Sequence, residues 1–180
     1  MKYLLRITII VAILIAVSLA FIYSGIYNVS AMVPHNKLTL WMMNTVSDYS
    51  VKHNANDTIK MPDLSDDSLV KMGFVHYREM CVSCHGAPGI KQSEFAEGLY
   101  PNPPMLSKVA EDWTPQQLFW ITKNGLKMTG MPAFGPTHND NMIWAIVAFT
   151  KTLPAMTNEQ YQVLDNETKG ESDESDEHTH

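Results

Sequence analysis

Residues 7–27 form a run of 21 uncharged and mostly apolar residues, and this run most restricts how the chain can fold. About 20 apolar residues in a helix span the hydrocarbon core of a bilayer. We therefore expect residues 1–27 to form a single N-terminal transmembrane helix. Lys2 and Arg6 precede the run, and positive charge is typical of the cytoplasmic side. The remainder is then expected outside the cytoplasm, on the periplasmic face of a bacterial cytoplasmic membrane.

A cleaved signal peptide is the alternative for the same segment. Residues 29–31 form a small-residue site of the A-x-A kind, which signal peptidases cleave. The apolar run is longer than the roughly 7 to 15 residues of a signal peptide, however, and Tyr23 and Tyr27 suit a membrane interface. A retained anchor is the favoured interpretation.

The charge distribution argues against a nucleic-acid-binding protein. The formal net charge is −6, but residues 159–180 carry eight acidic residues and one lysine. The rest of the chain is therefore nearly balanced and has no large basic surface of the kind that nucleic acids require. We expect residues 157–180 to be an acidic, disordered tail.

Between the anchor and the tail, the sequence predicts a linker and a small all-α domain. Residues 28–63 form the membrane-proximal linker, with one amphipathic helix indicated by the apolar positions between Leu38 and Tyr49. Residues 64–156 contain signals for three main helices. The first begins with Ser65 as N-cap, the second runs from a capping box at Thr114 to Gly125, and the third begins within residues 137–140.

The predicted domain has few residues with which to build a core. Residues 86–104 are rich in glycine and proline and should be irregular. Long irregular stretches in a compact domain are uncommon and usually functional. We infer that something other than side chains fills the middle of the domain.

Both cysteines of the chain belong to the motif Cys81-x-x-Cys84-His85. A disulfide closing so small a loop would stabilise little. A zinc site needs four ligands, and no second CxxC or HxxxH pair follows. A thioredoxin-like redox pair is expected beside a parallel sheet, which this helical pattern lacks. The remaining interpretation is covalent attachment of one haem c, in which both sulfurs form thioethers and His85 ligates the iron.

A second axial ligand is expected to follow in the chain. Residues 130–135 form a loop in which Pro132 and flanking glycines can hold the thioether of Met131 rigidly. Met131 is the favoured distal ligand and Met128 is the fallback, while another ligand or none stays open.

Residues 64–156 resemble a class I c-type cytochrome of the exported, membrane-anchored monohaem kind. Gly73 and Tyr77, eight and four residues before Cys81, match the pattern of that family's N-terminal helix. The resemblance implies the cytochrome c fold, with Gly73 crossing closely to an aromatic residue for which Phe149 is the candidate. It also implies that the carbonyl of Pro104 accepts a hydrogen bond from His85.

The expected function is transfer of single electrons by a His/Met-ligated haem. The protein would then be an electron carrier rather than an enzyme, with a redox donor and a redox acceptor at the membrane as partners. One alternative is an electron-accepting subunit of a larger exported oxidoreductase complex. Another is a five-coordinate haem c enzyme or gas sensor, if Met131 does not bind the iron. A third is an interaction module in which the haem is only structural.

Overall fold

The computed structural model describes residues 1–55 and 59–176, and for residues 169–176 it describes the backbone only. The chain divides into two compact units, Met1–Pro34 and His35–His180. Within the described residues the regular structure is helical, with no strand beyond an isolated bridge between Ala87 and Ile90. The all-α fold class is confirmed.

The first unit contains α1, Lys2–Tyr23. All of its side chains are exposed. Its 22 residues are long and apolar enough to cross a membrane. Ser24 caps its C-terminus with a hydrogen bond from its backbone N–H to the carbonyl of Phe21.

The second unit contains a continuous helical segment that carries both cysteines, with further helices before and after it. α2 spans Lys37–Asn54 and α3 spans Asp67–His76. A π-helical turn, Tyr77–Cys81, joins α3 to α4, Val82–His85. The remaining helices are α5 (Glu94–Glu97), α6 (Leu106–Val109), α7 (Pro115–Asn124), α8 (Asp140–Thr152) and α9 (Asn158–Asp176).

The crossing of α3 over α8 forms the packed part of the domain. A Cβ atom at Gly73 would overlap the backbone carbonyl of Ala145 and would lie 2.9 Å from the Cβ of Phe149. Only glycine therefore permits the two helices to approach so closely. Phe74 packs edge-on against Phe149, and Tyr77 also contacts that ring. The expected pairing of Gly73 with Phe149 is confirmed.

Helix α7 begins and ends as the sequence predicts. The Thr114 side chain accepts the Gln117 backbone N–H, while the Gln117 side chain accepts the Thr114 backbone N–H. Pro115 occupies the first turn, where its missing N–H costs nothing. Gly125 follows the helix with φ of +66°.

The start of α3 differs from the prediction by one residue. Asp66, not Ser65, is the N-cap, because its carboxylate accepts the backbone N–H groups of both Ser68 and Leu69. The hydroxyl of Ser65 instead donates to Asp63. Asp66 is the better N-cap because its carboxylate can accept several hydrogen bonds and its negative charge suits the positive end of the helix dipole.

The C-terminal segment also differs from the expected disordered tail. Asn158–Asp176 is helical, and the side chain of Tyr161 is buried against Phe74 and Phe149. Arg78 donates to the hydroxyl of Thr168 over 2.8 Å. Apolar packing and this polar contact order the first half of α9. Residues 177–180, the end of the predicted tail, lie outside the described residues.

Candidate haem site

The π-helical turn and α4 place the two cysteines at one end of a cavity. Cys81 closes the π turn and is buried, and Cys84 lies one turn later and is partly exposed. Both thiols are free, so they do not form a disulfide with each other. Burial, with a smaller contribution from Cys84, raises the pKa of the Cys81 thiol to about 12.

His85 is the last residue of α4 and is oriented by a backbone carbonyl. Its Nδ1 lies 2.8 Å from the carbonyl oxygen of Pro104. Because a carbonyl oxygen can only accept, Nδ1 must carry the proton, and the neutral ring then has its lone pair on Nε2. Burial lowers the pKa of His85, and the bond to Pro104 opposes that shift only in part. The imidazole is thus prepared to donate to a metal ion.

Gly86 turns the chain sharply after His85. Its φ is +64°, and a Cβ atom there would lie 2.9 Å from the carbonyl oxygen of Ile90. The buried Tyr77 hydroxyl donates to the Gly86 carbonyl over 2.7 Å. This bond ties the end of α4 back to the π turn and fixes the direction of the His85 backbone.

Gln92 is a residue of the site that the sequence analysis missed. Its side-chain amide donates to the carbonyl of Cys84 and to that of Pro103, each over 2.7 Å. One side chain therefore joins the cysteine segment to the segment that carries Pro104. No motif marks Gln92, since a glutamine in an irregular loop has no local signal for partners 8 and 11 residues away.

A separate loop after α7 brings Met131 to the same cavity. The Leu126 backbone N–H donates to the Met131 carbonyl, and the Met131 N–H donates to the Thr129 hydroxyl. Met128, the fallback ligand, is 74% exposed and does not line the cavity. Of the two methionines, the structure brings only Met131 together with Cys81, Cys84 and His85.

The cavity has a volume of about 360 Å³ and a mainly apolar wall. This volume falls in the range of roughly 300 to 1,000 Å³ for ligand pockets. The wall comes from the cysteine segment (residues 80–85), the Pro-rich loop (residues 95–104), α6, α7, the Met131 loop (residues 126–134) and α8. Its side chains include Phe95, Leu99, Leu106, Val109, Trp113, Leu118, Ile121, Leu126, Phe134, Ile146 and Val147.

These residues fit a haem c. Two free thiols one helical turn apart, a neutral imidazole, a thioether and apolar walls supply the attachment points, two candidate axial donors and the desolvated surroundings of such a group. In the described part of the chain, no cluster of three or more His, Cys, Asp and Glu side chains could hold a metal ion. The alternative of a four-ligand zinc site therefore finds no support there.

Comparison with known families agrees with this chemistry. The family model described as cytochrome c oxidase, cbb3-type, subunit III matches residues 68–149. Neither the curated proteins nor the solved structures compared with the chain contain a match. The matched range contains the cysteines, His85, Pro104 and Met131. Residues 68–149 therefore form a class I c-type cytochrome domain, similar to that of cbb3-type oxidase subunit III and built around one covalently bound haem c.

Proposed function

We propose that the protein is a membrane-tethered monohaem cytochrome that transfers single electrons between redox proteins on the periplasmic side. Cys81 and Cys84 would hold the haem covalently, and His85 and Met131 would ligate its iron. The main support for the proposal is that all four side chains line the same apolar cavity, although Met131 comes from a separate loop.

The residues of the site have distinct roles in electron transfer. The bound haem supplies a one-electron Fe(III)/Fe(II) couple. The Pro104 carbonyl orients His85 and increases its electron donation. Met131 would supply the second iron ligand, so oxygen or peroxide would find no open site, and its thioether would keep the potential high.

Phe95 offers a place where electrons can enter and leave. Its side chain lines the cavity and is 70% exposed, which supports an opening of the cavity at this residue. The mostly apolar walls elsewhere exclude water and limit the reorganisation that a change of charge would cause.

The N-terminal helix contributes to the function by confining the domain to the membrane surface. A tethered domain meets membrane-bound donors and acceptors at a high effective concentration. Residues 24–36 would set part of its reach.

The test is an absorption spectrum of the full chain in detergent, oxidised and reduced, before and after addition of carbon monoxide. A six-coordinate carrier is expected to show the reduced bands of haem c and no change with carbon monoxide. A prompt shift would mean an open iron site and would favour the enzyme or sensor alternative.

A second candidate is a fixed subunit of a larger exported oxidoreductase complex, because the matching family is a subunit of such an assembly. Affinity purification of the tagged full chain from mild detergent extracts separates the two. A fixed subunit is expected to bring partners in constant stoichiometry, whereas a free carrier is expected to elute without them.

A further inference from the structure

Helix α2 carries an apolar face that the domain does not cover. This outward face consists of five side chains, each at least half exposed: Leu38, Trp41, Met42, Val46 and Tyr49. They recur at intervals of three and four residues and so lie on one side of the helix. A contiguous exposed apolar surface of this kind usually marks a site that binds another protein or a membrane.

The outward face is not needed to hold α2 on the domain. Val51, whose side chain is buried, and the partly buried Met43 lie on the other side of the helix. Helix α2 contacts α7, and the burial of Val51 indicates that this side packs on the domain. The large apolar residues on the outward face therefore have a role other than folding of the domain.

The position of α2 in the chain favours a lipid surface as the occupant. Thirteen residues separate the end of α1 at Tyr23 from the start of α2 at Lys37. Since an extended residue spans about 3.4 Å, α2 begins within about 45 Å of the end of the apolar helix. A helix with that connection meets the bilayer surface far more often than any soluble partner.

The composition of the outward face suits the boundary between lipid and water. Trp and Tyr are enriched at that boundary, and the face contains Trp41 and Tyr49. The ammonium group of Lys52 lies 5.9 Å from the centroid of the Tyr49 ring, where it can reach lipid phosphates. Helix α2 has one acidic residue, Asp48, and two lysines, Lys37 and Lys52. Its net charge therefore does not repel an anionic bilayer.

We propose that the outward face of α2 lies in the interfacial layer of the membrane, as a second contact besides α1. Because α2 also contacts α7, which lines the haem cavity with Leu118 and Ile121, this contact orients the cavity relative to the bilayer. The inference rests on the proposal that α1 spans the membrane, and it does not depend on the direction or partners of electron transfer.

The experiment uses the full-chain holoprotein in vesicles of phosphatidylcholine and phosphatidylglycerol. Single cysteines are introduced by Met42→Cys or Val46→Cys and carry a nitroxide, since the native cysteines are occupied by haem. Collision rates with oxygen, which concentrates in lipid, and with a water-soluble nickel chelate give the environment of each label. Asn44→Cys is the matched control, because Asn44 is exposed outside the outward face of the same helix.

The expected result is a ratio of oxygen to nickel collisions several-fold higher at positions 42 and 46 than at position 44. Equal, water-like ratios at all three positions would overturn the proposal and would leave the face for a protein partner. Low collision rates with both reagents, together with spin–spin broadening, would also overturn it in favour of a second copy of this chain. Ser18→Cys, inside α1, separates these failures from failure of the anchor, because its label must report lipid if α1 spans the membrane.

Discussion

The two sides of α8 show how differently one helix can be buried. Toward α3, α8 is packed by protein alone, with Ala145 against Gly73 and Phe149 against Phe74. Toward the haem site, Ile146, Val147 and Thr150 line a cavity of about 360 Å³. The first side is specified by side-chain shape, whereas the second is completed by the cofactor. Changes on the two sides of α8 should therefore affect stability in different ways.

The largest effect is expected from removing the haem attachment. Cys81→Ser combined with Cys84→Ser should leave a chain that fails to fold cooperatively. At roughly 24 cal/mol per Å³, an unfilled cavity of this size costs about 9 kcal/mol, which is comparable to the whole stability of a domain. Near-ultraviolet circular dichroism and thermal melting measure the outcome. Ser83→Ala, between the two cysteines, is the control and should keep the haem; a double variant that melts like the wild type would contradict the comparison.

On the packed side, Gly73→Ala should destabilise the holoprotein by about 3 kcal/mol or more. The new Cβ would overlap backbone atoms of Ala145, which cannot rotate away as a side chain does. Denaturant unfolding of the full chain measures the change. Gly98→Ala is the control, since its Cβ would lie an ordinary 3.5 Å from the nearest atom, and it should alter stability by less than about 1 kcal/mol. Similar losses for both variants would show that the helix crossing is not the cause.

Removing the aromatic ring that α9 inserts beside this crossing should cost about 3 kcal/mol. Tyr161→Ala leaves a void beside Phe74 and Phe149. Tyr161→Phe should cost under about 1 kcal/mol, because the buried hydroxyl has no hydrogen-bond partner among the described residues. Thermal unfolding compares the pair. An alanine variant as stable as the phenylalanine variant would mean that α9 does not belong to the folded core.

A smaller effect is expected at the cavity wall from Gln92→Leu. The change leaves the carbonyls of Cys84 and Pro103 without their amide donor and should cost about 2 kcal/mol. Gln162→Leu, at an exposed position of α9, should change stability by less than about 0.5 kcal/mol. Equal effects in denaturant unfolding would remove Gln92 from the group of residues that hold the site together.

The sequence predicts those parts of the fold that depend on local patterns. The capping box at Thr114 and the end of α7 at Gly125 follow from residues within one helical turn of each helix end. Gly73 is recognisable only because its spacing from Cys81 resembles that of a known family, and Phe149 only because this resemblance implies an aromatic residue against that glycine. The all-α class follows from the same local signals.

The remaining features depend on contacts between distant residues, which leave no local pattern. Arg78 and Thr168 are 90 residues apart, so their bond gives no sequence signal that α9 is ordered. In the π turn at Tyr77–Cys81 each backbone hydrogen bond spans one residue more than in an α-helix, and periodicity alone does not reveal it. Gln92 lies in an irregular stretch and donates to the carbonyls of Cys84 and Pro103. The glycine and proline content of this stretch predicts that it is irregular but not which hydrogen bonds it makes.

The most direct test concerns Met131, which a loop distant from the cysteines brings to the cavity as the proposed second axial ligand. The measurement is the near-infrared spectrum of the oxidised full chain, with the reduction potential, for Met131→Ala and for Met128→Ala. We expect Met131→Ala to abolish the band from methionine ligation and to lower the potential, while Met128→Ala leaves both nearly unchanged because that side chain lies outside the cavity. An unchanged band in Met131→Ala, or its loss in Met128→Ala, would contradict the assignment of Met131 as the second axial ligand.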